Sequence, residues 1–149
     1  MVKPQCFSKG ASLPLLFCLP LLTGCPGTGS GDYLRPDETA YVSKKGEKIC
    51  FTIPEAEDYQ PVYIAINPRG RPPGEQTFTQ YPPLRVDNGW LCIPPSFYPF
   101  PDSSSVPFIV ETILHSSATN KPARTFVAGV GLSNGRVYAV PLTNKEITR

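Results

Sequence analysis

Gly129-Val130-Gly131-Leu132-Ser133-Asn134-Gly135-Arg136-Val137-Tyr138-Ala139-Val140 spells a β-hairpin. Asn134-Gly135 suits a two-residue turn, because both central positions need positive φ. The register set by that turn pairs Leu132 with Val137 and Val130 with Ala139 on one face. On the other face Tyr138 falls opposite Gly131 and Val140 opposite Gly129. A ring lying over strand glycines is a way to cover bare backbone.

The same turn chemistry recurs upstream. Asp87-Asn88-Gly89-Trp90 pairs Val86 with Leu91 and Leu84 with Ile93, giving an apolar face. Pro82-Pro83 and Pro94-Pro95 stop both arms, since proline cannot donate into a ladder. A looser turn at Lys45-Gly46 joins Thr39–Ser43 to Lys48–Ile53. Val62–Ile66 and Pro107–Ser116 are strand-like. In the second, Ile109 and Ile113 make both faces partly apolar, which places that strand centrally. The chain carries 19 prolines, which oppose long helices. The reading is an all-β domain of about seven or eight short antiparallel strands. An immunoglobulin-like β-sandwich is the first choice and a small barrel the alternative.

The N-terminus has the parts of a lipoprotein signal peptide. Lys3 and Lys9 make a basic end, and Ala11 to Leu22 is a mostly apolar run too short to span a bilayer as a helix. Leu22-Thr23-Gly24-Cys25 then reads as a lipobox. Residues 1–24 are expected to be removed, leaving Cys25 to carry a covalent lipid and residues 25–36 to act as a flexible tether. Residues 37–149 form the β-sandwich domain. Pro26, rather than an aspartate, after the cysteine favours the periplasmic face of the outer membrane. Several acyl chains on Cys25 hold a membrane firmly, where one holds it weakly.

Fourteen basic and 12 acidic side chains give the whole chain a formal charge of +2. Lys3 and Lys9 account for that excess, so the remainder is neutral. Nucleic acid is therefore not an expected partner, since phosphate binding needs a basic surplus. Cys6 and Cys18 belong to the leader. Cys50 and Cys92 remain as an even pair in an oxidising compartment, and a disulfide is expected. Strand parity turns both cysteines away from the core, because Ile49, Phe51 and Ile53, and likewise Leu91 and Ile93, occupy the apolar face. The bond should therefore join neighbouring strands of one sheet, with Trp90 placed to cover it. Closing a loop of roughly 40 residues stabilises by about 4 kcal/mol on the chain-entropy argument.

Few residues suggest chemistry. His115 is the only histidine, so a multi-histidine metal site is excluded and no cofactor is expected. Glu55, Glu57 and Asp58 read as a solvated acidic loop, without the ligand spacing of a calcium site. Arg69-Gly70-Arg71 reads as a basic turn. No catalytic set emerges, and the protein is not expected to be an enzyme. Pro94-Pro95-Ser96-Phe97-Tyr98-Pro99-Phe100-Pro101 stands apart, with three aromatics among four prolines. A stiff aromatic loop loses little entropy on contact and makes a good binding surface. Phe97, Tyr98 and Phe100 are candidate anchors, with Tyr98 the one expected to be exposed and Arg69 and Arg71 as neighbours for an acidic partner. The competing reading is that Phe97 and Phe100 cap one end of the sandwich.

Several stretches carry a family resemblance: Gly24-Cys25-Pro26-Gly27 followed by Leu34-Arg35-Pro36-Asp37-Glu38-Thr39; Asp58-Tyr59-Gln60-Pro61-Val62-Tyr63-Ile64-Ala65-Ile66-Asn67; Trp90-Leu91-Cys92-Ile93-Pro94-Pro95-Ser96-Phe97-Tyr98; Val130-Gly131-Leu132-Ser133-Asn134-Gly135; and Pro141-Leu142-Thr143. Together they resemble enterobacterial type VI secretion immunity periplasmic lipoproteins. The resemblance implies a periplasmic protein that neutralises an incoming toxin, a type VI effector, by binding it. A structural lipoprotein of a secretion or envelope apparatus is the alternative.

Overall fold

The computed structural model describes residues 37–148. The leader, the lipobox and the tether, Cys25 included, lie outside the described residues. Ten strands form two sheets. They are β1 (Glu38–Thr39), β2 (Val42–Lys45), β3 (Lys48–Thr52), β4 (Gln60–Pro68), β5 (Phe78–Gln80), β6 (Val86–Asp87), β7 (Trp90–Ile93), β8 (Phe108–His115), β9 (Arg124–Ser133) and β10 (Arg136–Val140). A single helical turn, α1 (Asn144–Ile147), follows.

One sheet runs β1-β9-β8-β4-β5, with β10 also paired to β9, and the other runs β2-β3-β7-β6. Taking β3 as strand B and β9 as strand G, these are the orders A′-G-F-C-C′ and A-B-E-D of an immunoglobulin-like sandwich. Two departures from the expectation stand out. There are ten strands rather than seven or eight, because three of them are only two or three residues long. And β1 lies parallel to β9, pairing Glu38 with Phe126 and Thr39 with Val127. The chain leaves that sheet at Ala40–Tyr41 and joins the other as β2, so Thr39–Ser43 is split between two sheets.

The Asn-Gly turns fix their hairpins as expected. β10 pairs Val137 with Leu132, Tyr138 with Gly131, Ala139 with Val130 and Val140 with Gly129. Asn134 and Gly135 have φ of 50° and 74°, and Asn88 and Gly89 have 49° and 77°. Val86 pairs with Leu91. The ladder stops there, and Leu84 enters the core without pairing to Ile93. β8 lies between β4 and β9, the central position that its two apolar faces imply.

Ile49, Phe51, Ile53, Leu91 and Ile93 from one sheet meet Ile64, Ile66, Val110, Leu114, Phe126 and Val130 from the other, all buried. The outward face of the larger sheet is covered in part too: Ile109, Val127 and Ala65 are buried although parity turns them away from this core. The C-terminal segment is tied to that sheet. Arg69 donates from Nε and Nη2 to the Glu146 carboxylate at 2.9 and 3.1 Å and from Nη2 to the Pro141 carbonyl at 2.7 Å. The Asp37 amide donates to Ile147 O at 2.9 Å. Burial alone would raise the Glu146 pKa, but the Arg69 guanidinium and the Thr143 amide outweigh it and hold the carboxyl below its usual range.

Cys50 and Cys92 form a disulfide between directly opposed residues of β3 and β7. They are neighbours in one sheet and point outward, as parity requires. Cys50 is nonetheless fully buried. Ser43, Cys50 and Cys92 form one row across the sheet. Lys45 and Trp90 belong to the rows on either side, and their side chains meet over it, with Lys45 Nζ 3.3 Å from the Trp90 ring centre. The indole thus covers the bond with the help of a lysine.

Candidate functional site

Strand directions give the sandwich two distinct ends. The chain comes in at one, beside the 53–59 and 116–123 connections. The opposite end gathers the 46–47 turn, the 69–77 and 94–107 connections and the Asn134-Gly135 turn.

The first end is tightly cross-linked. Arg124 forks onto Glu38 with two bonds of 2.9 Å, donates to the Pro54 and Glu55 carbonyls and stacks on the Tyr59 and Phe126 rings. Hydrogen bonding to Glu38 raises the Arg124 pKa further. Tyr59 Oη donates to Pro122 O at 2.8 Å, and Lys121 pairs with Glu57. Asp58 accepts from Ser117 and Ser116, and these hydroxyls hold its carboxyl down at about 2. Glu55, Glu57 and Asp58 are exposed, as the solvated acidic loop of the sequence reading implies, and Glu57 and Asp58 also fasten two connections together.

The other end holds a cleft of about 330 Å³ between the sheets. Ile49, Ile93, Leu132 and Val137 line its depth, Tyr98 and Phe100 one wall, and Lys44, Glu47 and Asp102 its mouth. Its volume falls at the small end of ligand pockets, roughly 300–1,000 Å³. The wall is stiff. Four prolines fix φ through 94–101, and the Phe97 and Tyr98 amides both donate to Pro94 O. Ser104 N donates to Leu132 O at 3.1 Å, Gly135 N to Asp102 O at 2.9 Å and Asn134 N to Ser103 Oγ at 2.8 Å, pinning the connection to the β9–β10 turn. Lys44 Nζ donates to Gly135 O at 2.8 Å from the facing sheet and closes the flank.

Phe97, Tyr98 and Phe100 are all half-buried against the core. Tyr98 and Phe100 meet edge-on at 4.6 Å, and both meet Phe108 edge-on at 6.0 and 5.5 Å. Tyr98 is thus a packed wall residue, half-buried like the other two rather than exposed. Burial raises its hydroxyl pKa against the opposing pull of Arg71. Phe97 lines, with Tyr98, a shallower depression beside Phe78 and Thr79. Arg71 is exposed near this wall, whereas Arg69 is committed to Glu146 and Pro141. Sequence reasoning missed the mouth of the cleft. Lys44, Glu47 and Asp102 come from separate segments, and no local pattern joins them.

A family model described as a domain of unknown function (DUF7480) matches residues 37–135. The chain belongs to the DUF7480 family. The match covers every strand from β1 to β9 and the Asn134-Gly135 turn. In this DUF7480 domain the cleft is built almost wholly inside the family segment, Val137 being the one lining residue beyond it. No curated protein and no solved structure matches the chain. No helix among the described residues is long and apolar enough to cross a membrane.

Proposed function

We propose that this DUF7480 protein is a lipid-anchored periplasmic immunity protein, held at the outer membrane, that neutralises a type VI effector by occluding it. The observation that carries the reading is the stiff, aromatic-walled cleft at the end of the sandwich away from Asp37. Asp37, which follows the segment holding the proposed lipid site, lies at the sandwich end opposite the cleft. Pre-organised aromatic surfaces suit tight inhibition, because little freedom is lost on contact. Inhibitory complexes bury roughly 1,200–2,000 Å², far more than the cleft alone, so the 69–77 and 94–107 connections around it would share the contact.

The test is survival of a toxin-sensitive cell challenged with any toxin found to be encoded near this gene. Deleting the gene should abolish protection, and the wild-type gene should restore it. Asp102→Trp, which blocks the mouth of the cleft from an exposed position, should keep its thermal midpoint and fail to restore protection. Survival that never responds to the deletion would overturn immunity in favour of a structural role in an envelope apparatus.

A further inference from the structure

We infer that the cleft takes the side chain of an arginine or lysine presented by the partner protein, an inference that rests on the binding reading above. The depth of the cleft is apolar and its mouth is acidic. Glu47 and Asp102 are both exposed there, and neither carboxylate has a hydrogen-bond or ion-pair partner among the described residues. Lys44 is the one cation in the lining; its ammonium donates to Gly135 O and forms an ion pair with neither acid. Tyr98 and Phe100 supply ring surface at the wall.

That combination suits an amphipathic cation. Its methylene stem lies along Ile49, Ile93 and Leu132, and its charged head stays at the wet mouth. The ring quadrupoles attract the head, and the two carboxylates, delivered from the β2–β3 turn and the 94–107 connection, flank it. Arginine is also a favoured anchor at protein interfaces. An acidic side chain would meet two like charges. The polarity is opposite to that implied by Arg69 and Arg71, of which only Arg71 is free to meet an acidic group.

The experiment uses the lipidated full chain in detergent, with isotope-labelled isoleucine, leucine and valine methyls. The probe is a blocked Gly-Arg-Gly tripeptide, compared with its citrulline and glutamate counterparts and with free spermidine. The arginine peptide should move the Ile49, Ile93, Leu132 and Val137 methyls with a millimolar dissociation constant. Glu47→Gln and Asp102→Asn should each weaken it by about threefold, the scale of one exposed ion pair. Citrulline or glutamate peptides that bind as well, methyls that do not move, or spermidine that binds more tightly than the peptide would each overturn the inference. Running toxin protection alongside separates the two claims. If the Glu47→Gln/Asp102→Asn double variant still protects and the arginine peptide does not bind, the cationic side chain is wrong and immunity stands. If the peptide binds as expected and deletion never changes survival, the cleft chemistry stands and immunity is wrong.

Discussion

Gly129 and Gly131 lie two residues apart on β9 beneath different obstacles. A Cβ built on Gly129 would stand 2.6 Å from the Val140 carbonyl oxygen, which is backbone. One on Gly131 would stand 2.2 Å from the Tyr138 ring, the movable end of a half-exposed side chain. Gly129→Ala should therefore be the costlier change, by about 1–3 kcal/mol of overpacking, measured by urea unfolding. Gly131→Ala should become nearly neutral in a Tyr138→Ala background, a coupling that a double-mutant cycle reads directly. Asn67 makes a different case. Its buried amide holds both polar groups of the Thr77 peptide, accepting from N at 2.9 Å and donating to O at 3.0 Å. Gln60 does the same for Val86, at 2.8 and 3.2 Å. Both substitute a side chain for a missing strand neighbour. Asn67→Ala should cost about 1–3 kcal/mol, since it leaves the Thr77 groups unpaired.

Among the elements, the 53–59 and 116–123 connections respond to acid through Asp58. Its carboxyl is held from the ordinary 3.8 down to about 2 by Ser117 first and Ser116 second. The folded form thus binds its proton later than the unfolded form. Its contribution is present above about pH 4 and fades as pH falls toward 2. Asp58→Asn should flatten that part of an acid-unfolding curve followed by circular dichroism. The disulfide braces β3 against β7 over a sequence separation of 42. Its removal in a Cys50→Ala/Cys92→Ala variant should cost up to about 4 kcal/mol, read as a lower urea midpoint. The hairpins and the disulfide were legible because their information is local: Asn-Gly dictates a register, and parity dictates a side. β1 and β5 were not. Both are two or three residues long and owe their state to strands far off in sequence. α1 was equally hidden, since Arg69, which fastens it through Glu146, lies 77 positions upstream.

For the whole molecule, sandwich class followed from strand spacing. The division into sheets did not, because nothing near residue 40 announces that the chain changes sheet there. The cleft was half legible. Its aromatic wall is one continuous stretch, and its charged mouth exists only after folding. The reading of Cys25 as the lipid site predicts that Cys25→Ser moves the protein from the membrane to the soluble fraction or leaves it unprocessed. Palmitate label that still marks the variant would show the lipid to be elsewhere.

The parallel pairing of β1 with β9 also has a mechanical side. β1 is the first strand among the described residues, and it runs from the Asp37 end toward the cleft end. In the proposed lipid-anchored form, a partner gripped at the cleft would pull β1 lengthwise. The β1–β9 hydrogen bonds lie across that load, as does the Glu38–Arg124 fork. They would have to yield together in shear, instead of peeling one after another like a zip. In that proposed form a strand of two residues would serve as a mooring.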